Sequence, residues 1–442
     1  MLRLAARWVL PVAEAPIAHG AVLVGDDGRI AAVGPDSTVP RPAGVESRDL
    51  ADAVLLPGLV NTHAHLELMA LRGLVTERPF PRWVNTVRKL KDRLPLEDFE
   101  AAARRGVLES FAAGITATGD TGSTGAPARA MAALGARGIA YQEVFGPDPA
   151  QCAASLDGLR RALDALAPCA SARVAIGVSP HAPYTVSTAL LAAVAGFAAE
   201  TELQVAMHVA ESEEETRFVT DGDGPFADHL RGRGIPVTPH GCSPVAWALD
   251  GGLTPLRPLL IHCVHVDGDD LRRIASAAAS VAHCPWSNAA LGTGRADLPA
   301  LRAAGITVGV GTDSVAAGRT LDLFEEVRLA AEGLPLAPRE ALRLATADAA
   351  DALGLPDTGR LVLGAWADLT AVAVPGAREA GAADIEALVV DRAAPVYVTG
   401  TWVAGRCVYA GGAWPGVDAA AEDRRFEAAS ARAREARTAP TT

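Results

Sequence analysis

Residues 57–65 decide the fold: Pro57-Gly58-Leu59-Val60-Asn61-Thr62-His63-Ala64-His65. The apolar residues around this stretch predict a buried strand from Leu55 to His63, with a histidine pair at its end. Side chains two positions apart in a strand point the same way, so His63 and His65 can offer two imidazole nitrogens to one cation. Because a histidine at a strand end is often only hydrogen-bonded structure, the pair gains meaning from the rest of the chain.

Further apolar stretches follow this one and alternate with alanine-rich helical segments. They predict strands at Ile115–Asp120, Gly138–Phe145, Val174–Ser179, Leu203–His208, Leu259–His262, Ser280–His283 and Ile306–Gly311. Strands that alternate with helices in this way predict an α/β fold, a (β/α)8 TIM-like barrel. Such barrels place their chemistry at the carboxyl ends of the strands, so polar residues scattered in sequence meet at one rim.

The two ends of the chain carry a different, strand-rich texture. A hairpin is predicted at Ala21–Val24 and Ile30–Gly34, and short strands return at Gly359–Val362, Ala367–Val372, Val396–Val398 and Thr401–Ala404. We expect both ends to pair into a small β-sandwich. The predicted organisation is 1–56 and 357–418 for the two parts of the sandwich, 57–356 for the barrel, and 419–442 for a helix and tail.

Polar residues follow other predicted strands as well. His208 and Glu211 follow the fifth strand, His262 ends the sixth and Asp313 follows the eighth. An aspartate there could equally cap the next helix. Three neutral histidines and one carboxylate nevertheless suit zinc or iron, with one position left for water, and they are His63, His65, His208 and Asp313.

Composition narrows the class of protein. The chain has 442 residues, a formal charge of -12 and 21% charged residues, and no apolar run of the ~20 residues that cross a bilayer. The net negative charge gives no electrostatic indication that the protein binds nucleic acid or an anionic membrane surface. Six cysteines without paired spacing predict no disulfide framework. We expect a cytoplasmic enzyme of small molecules, as a monomer or a homo-oligomer.

Several motifs together resemble the amidohydrolase superfamily, specifically its deaminase and chlorohydrolase branch. They are residues 57–65, His208 with Glu211, His262-Cys263-Val264-His265, His283-Cys284-Pro285-Trp286-Ser287-Asn288 and Gly311-Thr312-Asp313. The resemblance implies that one divalent metal ion, zinc or alternatively iron, is bound by His63, His65, His208 and Asp313. It further implies catalytic roles for Glu211, His262 and Asp313, and a substrate contact for His181.

Lysines bear on the number of metal ions. Binuclear members of the superfamily bridge two metals with a carboxylated lysine on the barrel, whereas this chain has only Lys89 and Lys91. Both lie between the first and second predicted strands. The resemblance therefore implies a mononuclear centre.

Two short segments resemble the 6-aminodeoxyfutalosine deaminases of menaquinone biosynthesis: His65-Leu66-Glu67-Leu68 and Phe80-Pro81-Arg82-Trp83-Val84. This resemblance implies conversion of 6-aminodeoxyfutalosine to futalosine and ammonia. Methylthioadenosine and S-adenosylhomocysteine deaminases usually carry a glutamate two residues before this tryptophan, where Pro81 stands. Alternative functions are deamination of adenosine, methylthioadenosine, S-adenosylhomocysteine or guanine, triazine-type chlorohydrolysis, and, remotely, a non-catalytic scaffold.

Three further expectations concern the substrate side of the barrel. Glu67 could bind a ribose hydroxyl or pair with Arg72 at the surface. Trp83 could stack on a flat substrate ring or pack with Phe80 in the core. The glycine- and proline-containing connection 213–254 is a candidate lid or specificity loop.

Overall fold

The computed structural model of the protein describes residues 1–318 and 320–439. In chain order its strands β1 to β16 are Leu2–Val9, Ile17–Val24, Ile30–Pro35, Glu46–Asp49, Val54–Pro57, Leu59–Ala64, Ile115–Gly122, Arg137–Val144, Val174–Pro180, Ala206–Val209, Leu259–His262, Ser280–His283, Val308–Val310, Leu369–Val372, Val398–Val403 and Arg406–Ala410.

The α-helices α1 to α16, again in chain order, are Phe80–Lys91, Leu96–Ala112, Ala126–Leu134, Cys152–Leu166, Thr188–Thr201, Glu213–Asp221, Pro225–Gly232, Pro244–Ala248, Gly268–Ser276, Pro285–Leu291, Leu298–Ala303, Leu323–Ala331, Pro338–Arg343, Ala347–Ala352, Ile385–Arg392 and Ala419–Thr438. Short 3-10 helices lie at Leu66–Leu71, Pro149–Gln151, Ala167–Cys169, Thr254–Leu256, Val315–Ala317 and Pro395–Tyr397. A π-helical turn covers Leu249–Leu253.

Parallel strands form the barrel. Strands β6 to β9 make one four-stranded sheet and β10 to β13 another. A bridge between Val178 and Val205 joins β9 to the approach of β10, and a bridge between Ala64 and Asp313 joins β6 to the end of β13. Eight strands thus follow one another around the ring, and helices separate them along the chain. The predicted (β/α)8 barrel is confirmed.

The first predicted barrel strand is wrong in its bounds, because Leu55 to His63 is two strands. Strand β5 pairs with β1 and β14 in the terminal sheet, and β6 opens the barrel after Gly58. A Cβ on Gly58 would lie 2.2 Å from Thr116 Oγ1, so only glycine lets the chain pass here from one sheet to the other. One uninterrupted apolar run in sequence does not reveal such a crossing.

Both chain ends build the second β-module. The order of its strands is β16-β15-β14-β5-β1-β2-β3, with β4 paired to β1. Hydrogen bonds from Ala367 N to Gly28 O (2.9 Å) and from Ile30 N to Ala365 O (2.8 Å) connect opposite parts of this order. The sheet therefore folds over one apolar core, whose members include Leu4, Val22, Leu55, Leu369 and Trp402.

The predicted strand Gly359–Val362 is wrong, since these residues form no strand. Gly359 has φ +73 and a Cβ there would lie 2.4 Å from Thr346 O, which makes it a turn residue. Leu361 is nevertheless buried and packs into the terminal core. A short apolar run indicates that its apolar residues are buried. Here Leu361 is buried without pairing as part of a strand, so the run did not predict the secondary structure.

The predicted C-terminal helix is present as α16, which packs on α2. Arg432 binds the buried carboxylate of Asp98, and Arg104 binds Glu422 at 2.7 Å. Residues 440–442 of the predicted tail lie outside the described residues. Among the described residues, no helix has the length and apolar character needed to cross a membrane.

The connection 213–254 contains α6, α7 and α8 rather than an irregular loop. Ser212 caps α6 by accepting from Glu215 N, and Gly222 ends it with φ +64. In α7, Phe226 stacks on Tyr184 with ring centroids 3.9 Å apart. The connection is thereby fastened to the segment that follows β9, close to His181.

Candidate metal centre and active site

Four side chains predicted as metal ligands converge at the carboxyl ends of β6, β10 and β13. Asp313 Oδ1 lies 3.2 Å from His63 Nε2 and 3.4 Å from His65 Nε2. His208 Nε2 lies 3.3 Å from His65 Nε2. The ligand atoms of the three histidines all lie within 4.8 Å of one another.

Backbone contacts between the first and last barrel strands bring His63 and Asp313 together. The Asp313 amide donates to the His63 carbonyl oxygen at 2.9 Å. Asn61 Oδ1 accepts from Thr312 N at 3.0 Å, and Asn61 Nδ2 donates to Thr312 Oγ1 at 2.8 Å. A Cβ on Gly311 would lie 2.8 Å from His63 N, so this close approach requires glycine.

Two active-site residues adopt strained backbone conformations. His262 has φ +77 and Asp313 has φ +54. Residues other than glycine rarely adopt this region, and such strain concentrates at functional sites. The end of β11 and the turn after β13 aim these two side chains into the barrel mouth.

The pKa shifts of His65, His208 and Asp313 fit a divalent metal ion. Burial lowers the pKa of His65 to about 3 and holds that of His208 well below its usual value. Burial alone would raise the pKa of Asp313, but its hydrogen bond to His63 and the nearby imidazoles hold it well below the usual range. Neutral imidazoles and an ionised carboxylate are the forms that bind such an ion. His208 Nδ1 lies 3.0 Å from His181 O, which turns Nε2 toward the centre.

Glu211 and His262 form a second pair beside the ligands. Glu211 Oε1 lies 3.5 Å from His262 Nε2. His262 Nδ1 donates to Asn288 Oδ1 at 2.9 Å, so the neutral ring presents an unprotonated Nε2. Burial, together with the charge of Asp313, raises the pKa of Glu211 well above its usual value. Burial thus favours the protonated form of Glu211 and the neutral form of the His262 imidazole that faces it.

Supporting residues that sequence reasoning missed fix these groups. Glu215 accepts from Ala210 N at 2.7 Å and from Glu211 N at 3.0 Å, which holds the turn carrying Glu211. Ser287 donates to Asp313 Oδ2 and, like Asn288, comes from α10. The motif 283–288 was recognisable in sequence, but which of its side chains reach the site was not.

His181 lies at the same rim, next to the metal-ligand group. Its ring centroid is 4.8 Å from that of His208, and its Nδ1 lies 2.8 Å from Thr185 Oγ1. Burial lowers the pKa of His181 to about 3, so its ring is neutral. Its predicted contact with substrate stays a prediction.

Trp83 is 8% exposed and lies beside Phe80, with the ring centroids 6.3 Å apart and the rings nearly parallel. Phe80 also contacts Tyr184 and Phe226. The structure therefore places Trp83 in an apolar cluster that joins α1 to the segment after β9. Its predicted contact with a substrate ring stays a prediction.

Glu67 does not pair with Arg72, because Arg72 binds Glu109. Glu67 is buried, and its carboxylate accepts from Lys91 Nζ at 2.6 Å. Ser123 N at 3.2 Å and Thr124 N at 3.1 Å donate to it as well. The chain's own donors thus surround the carboxylate that was predicted to bind a ribose hydroxyl, and Glu67 anchors Lys91 at the barrel rim.

Glu143, at the end of the third barrel strand β8, was not predicted. Its side chain is 2% exposed, and burial raises its pKa to about 7. Oε1 lies 4.0 Å from His181 Nε2, and Oε2 lies 4.0 Å from Lys91 Nζ. A carboxylate at the end of a predicted barrel strand was the signal that could have found it.

A parallel barrel with three histidines and an aspartate at the carboxyl ends of its strands defines a metal-dependent hydrolase. The sequence model of the amidohydrolase family matches residues 54–408. The chain belongs to this family, and it is a hydrolase acting on C–N bonds other than peptide bonds.

The similarity to known proteins covers most of the chain. A 5-methylthioadenosine/S-adenosylhomocysteine deaminase of Symbiobacterium thermophilum is 31% identical and is matched over 91% of this chain and 92% of its own length. An adenosine deaminase of Xanthomonas campestris with bound zinc has a similar structure, with a TM-score of 0.83, 24% identity and 98% coverage of each chain. The aminofutalosine deaminase of Helicobacter pylori gives a TM-score of 0.81 at 20% identity, over 92% of this chain and all of that one. At these identities the two structures show the fold alone.

Proposed function

We propose that the protein is a mononuclear metal-dependent deaminase that replaces the exocyclic amine of an adenine-type nucleoside with oxygen. The observation that carries the proposal is the approach of the buried Glu211 Oε1 to His262 Nε2, at 3.5 Å, next to the converging ligands. A hydrolase of an amine on an aromatic ring needs a proton donor for the ring nitrogen and a base for water, and Glu211 and Asp313 offer these two functions. The name of the Symbiobacterium relative supports the nucleoside class.

A divalent ion, most readily zinc, held by His63, His65, His208 and Asp313 would supply the Lewis acidity that makes water a nucleophile near neutral pH. Glu211 donates its proton to the ring nitrogen next to the amine-bearing carbon, which makes that carbon electrophilic. Asp313, ionised in the folded protein, accepts a proton from the attacking water. His262 Nε2 accepts a hydrogen bond from the same water, since its Nδ1 carries the ring proton.

Breakdown of the adduct uses the same groups. The proton held by Asp313 passes to the amine, the C–N bond breaks and ammonia leaves. Glu211 recovers a proton from the new hydroxyl, which leaves a ring carbonyl and an N–H. Substrate and water are thereby converted to the oxo product and ammonia, with both carboxyls returned to their starting states.

As the particular substrate we propose 6-aminodeoxyfutalosine, converted to futalosine in menaquinone biosynthesis. Residues 65–68 and 80–84 support it by their resemblance to that group of enzymes. Methylthioadenosine, S-adenosylhomocysteine and adenosine are the main alternatives, since the relative that spans nearly the whole chain is named for the first two. Pro81 at the start of α1 stands where those enzymes usually carry a glutamate.

The decisive experiment compares ammonia release by the zinc-loaded protein from 6-aminodeoxyfutalosine, adenosine, methylthioadenosine, S-adenosylhomocysteine, guanine and a chlorotriazine. A preference of orders of magnitude for 6-aminodeoxyfutalosine supports the particular substrate. A preference for another adenine nucleoside retains the deaminase and replaces its substrate. Chloride release without ammonia release overturns the deaminase in favour of the chlorohydrolase.

A non-catalytic scaffold is the remaining alternative. Metal content measured on the purified protein, before and after reconstitution with zinc, tests it. About one tightly bound ion per chain supports an enzyme, and no bound ion after reconstitution would favour the scaffold.

A further inference from the structure

Glu143 is a buried carboxylate that the proposed catalytic steps do not use. Its Oε1 has no hydrogen-bond partner among the side chains and backbone of the described residues. Buried polar oxygens are nearly always paired, because an unpaired one has lost its hydration without replacement. The missing donor is therefore expected from a ligand.

Glu143 lies close to the candidate metal centre. Ligand atoms of Glu143, His181 and His208 all lie within 4.8 Å of one another. His208 belongs to the metal-ligand set, and His181 lies at the rim beside it. A nucleoside that binds with its amine end at the metal centre and its ring system beside His181 would have its sugar at the opposite end of the ring system. In that orientation the sugar would lie toward Glu143.

Lys91 argues against a second metal ion at Glu143. Its Nζ lies 4.0 Å from Glu143 Oε2, and Glu67 Oε1 holds it at 2.6 Å. This fixed positive charge repels a cation placed at the carboxylate. At 4.0 Å the two groups also do not hydrogen-bond, so Lys91 leaves Glu143 unsatisfied. A ligand hydroxyl group suits both side chains, since it can donate a hydrogen bond to the Glu143 carboxylate and accept one from the Lys91 ammonium.

We propose that Glu143 is a specificity-determining residue that accepts a hydrogen bond from a ring hydroxyl of the substrate's sugar, with Lys91 as the neighbouring donor. The inference rests on the proposed nucleoside deaminase and names the part of the substrate that this subsite recognises. Glu67 contributes indirectly, by holding Lys91 in place.

Kinetics with matched nucleosides test the inference. The substrates are adenosine, 2′-deoxyadenosine and 3′-deoxyadenosine, and the proteins are wild type, Glu143→Gln, Glu143→Leu and Glu213→Gln, an exposed carboxylate on α6. In the wild type we expect one deoxy analogue to lose about tenfold to hundredfold in kcat/KM, as expected when a hydrogen bond to a charged group is lost. Glu143→Leu should lower kcat/KM for adenosine by a similar factor, chiefly by raising KM. It should lower kcat/KM for the affected deoxy analogue much less. The kcat/KM of Glu143→Gln for adenosine should lie between those of the wild type and Glu143→Leu. The kcat/KM of Glu213→Gln should match that of the wild type.

Equal losses on adenosine and on both deoxy analogues in Glu143→Leu would overturn the inference, because they would indicate a general structural effect. Wild-type turnover is measured first, so failure of the proposed function is seen separately: no deamination of any adenine nucleoside removes that function and the inference with it. Deamination with an unchanged hydroxyl preference in Glu143→Leu removes the inference alone.

Binding without turnover gives an independent readout. In a Glu211→Gln background, calorimetric titration with adenosine and the deoxy analogue should show a preference for adenosine that Glu143→Leu abolishes. Zinc stoichiometry is measured on the same samples. Loss of a second zinc equivalent in Glu143→Leu would overturn the inference by making Glu143 a metal ligand.

Discussion

Asn288 Oδ1 lies 2.9 Å from Nδ1 of His262 and determines which ring nitrogen faces the active site. Because the amide oxygen only accepts, Nδ1 keeps the proton and Nε2 remains an acceptor toward Glu211 and water. Burial lowers the pKa of His262 to about 4, so the ring is neutral at physiological pH. The contact thus fixes both the tautomer and the orientation of the His262 imidazole.

Replacing Asn288 with alanine should lower kcat by about tenfold to hundredfold, since His262 then samples the other tautomer and other orientations. Zinc content should stay at the wild-type level, because the Asn288 side chain bonds to His262, which is not one of the four proposed ligands. Steady-state kinetics and metal analysis check this. An unaltered kcat in a fully loaded variant would remove the orienting role.

Glu211→Gln should abolish most turnover and retain the metal, because glutamine keeps the shape and cannot transfer a proton. A loss of about two to four orders of magnitude in kcat is expected for a general acid. The control Glu213→Gln lies two residues away and is exposed. Wild-type kcat in Glu211→Gln would contradict the assignment.

The pH dependence follows from the same carboxyl. Burial raises the pKa of Glu211 in the folded protein above its usual value, so the group is protonated and able to donate below that raised pKa. As pH rises through it, the donor form disappears and kcat should fall on the alkaline side. Rate profiles measured at saturating nucleoside and zinc test this, and an alkaline limb absent in the wild type would exclude Glu211 as the donor.

The convergence of the four proposed ligands could be predicted because each stands at or just after a barrel strand, where topology alone brings side chains to one rim. Glu143 obeys the same rule and was overlooked, since a single glutamate matched no motif. Lys91 follows no such rule: it ends α1, and its approach to the rim depends on how α1 packs on the barrel. The pair of Glu67 with Lys91 was not predictable for the same reason, because Arg72 is near in sequence whereas Lys91 is near only in space.

His63→Ala should lose metal and activity together, since it removes one of the four proposed ligands. His265→Ala is the matched control, because His265 Nε2 bonds to Thr293 O at 2.7 Å and lies outside the ligand set. Inductively coupled plasma mass spectrometry after zinc loading compares the metal content of the two variants. A metal-replete and active His63→Ala would exclude it as a ligand.

Gly58→Ala tests the crossing between the terminal sheet and the barrel. A Cβ at this position would lie 2.2 Å from Thr116 Oγ1 and 2.7 Å from Thr116 Cβ, so the added methyl forces β6 and β7 apart. We expect a loss of about 1–3 kcal/mol in the free energy of unfolding, as for other overpacked sites, and partial recovery in Gly58→Ala with Thr116→Ala. Gly196→Ala in α5, where a Cβ meets nothing within 4 Å, should instead stabilise by about 0.5–1 kcal/mol. Urea denaturation monitored by circular dichroism compares the variants, and equal stability of Gly58→Ala and wild type would show that β5 and β6 do not need a glycine between them.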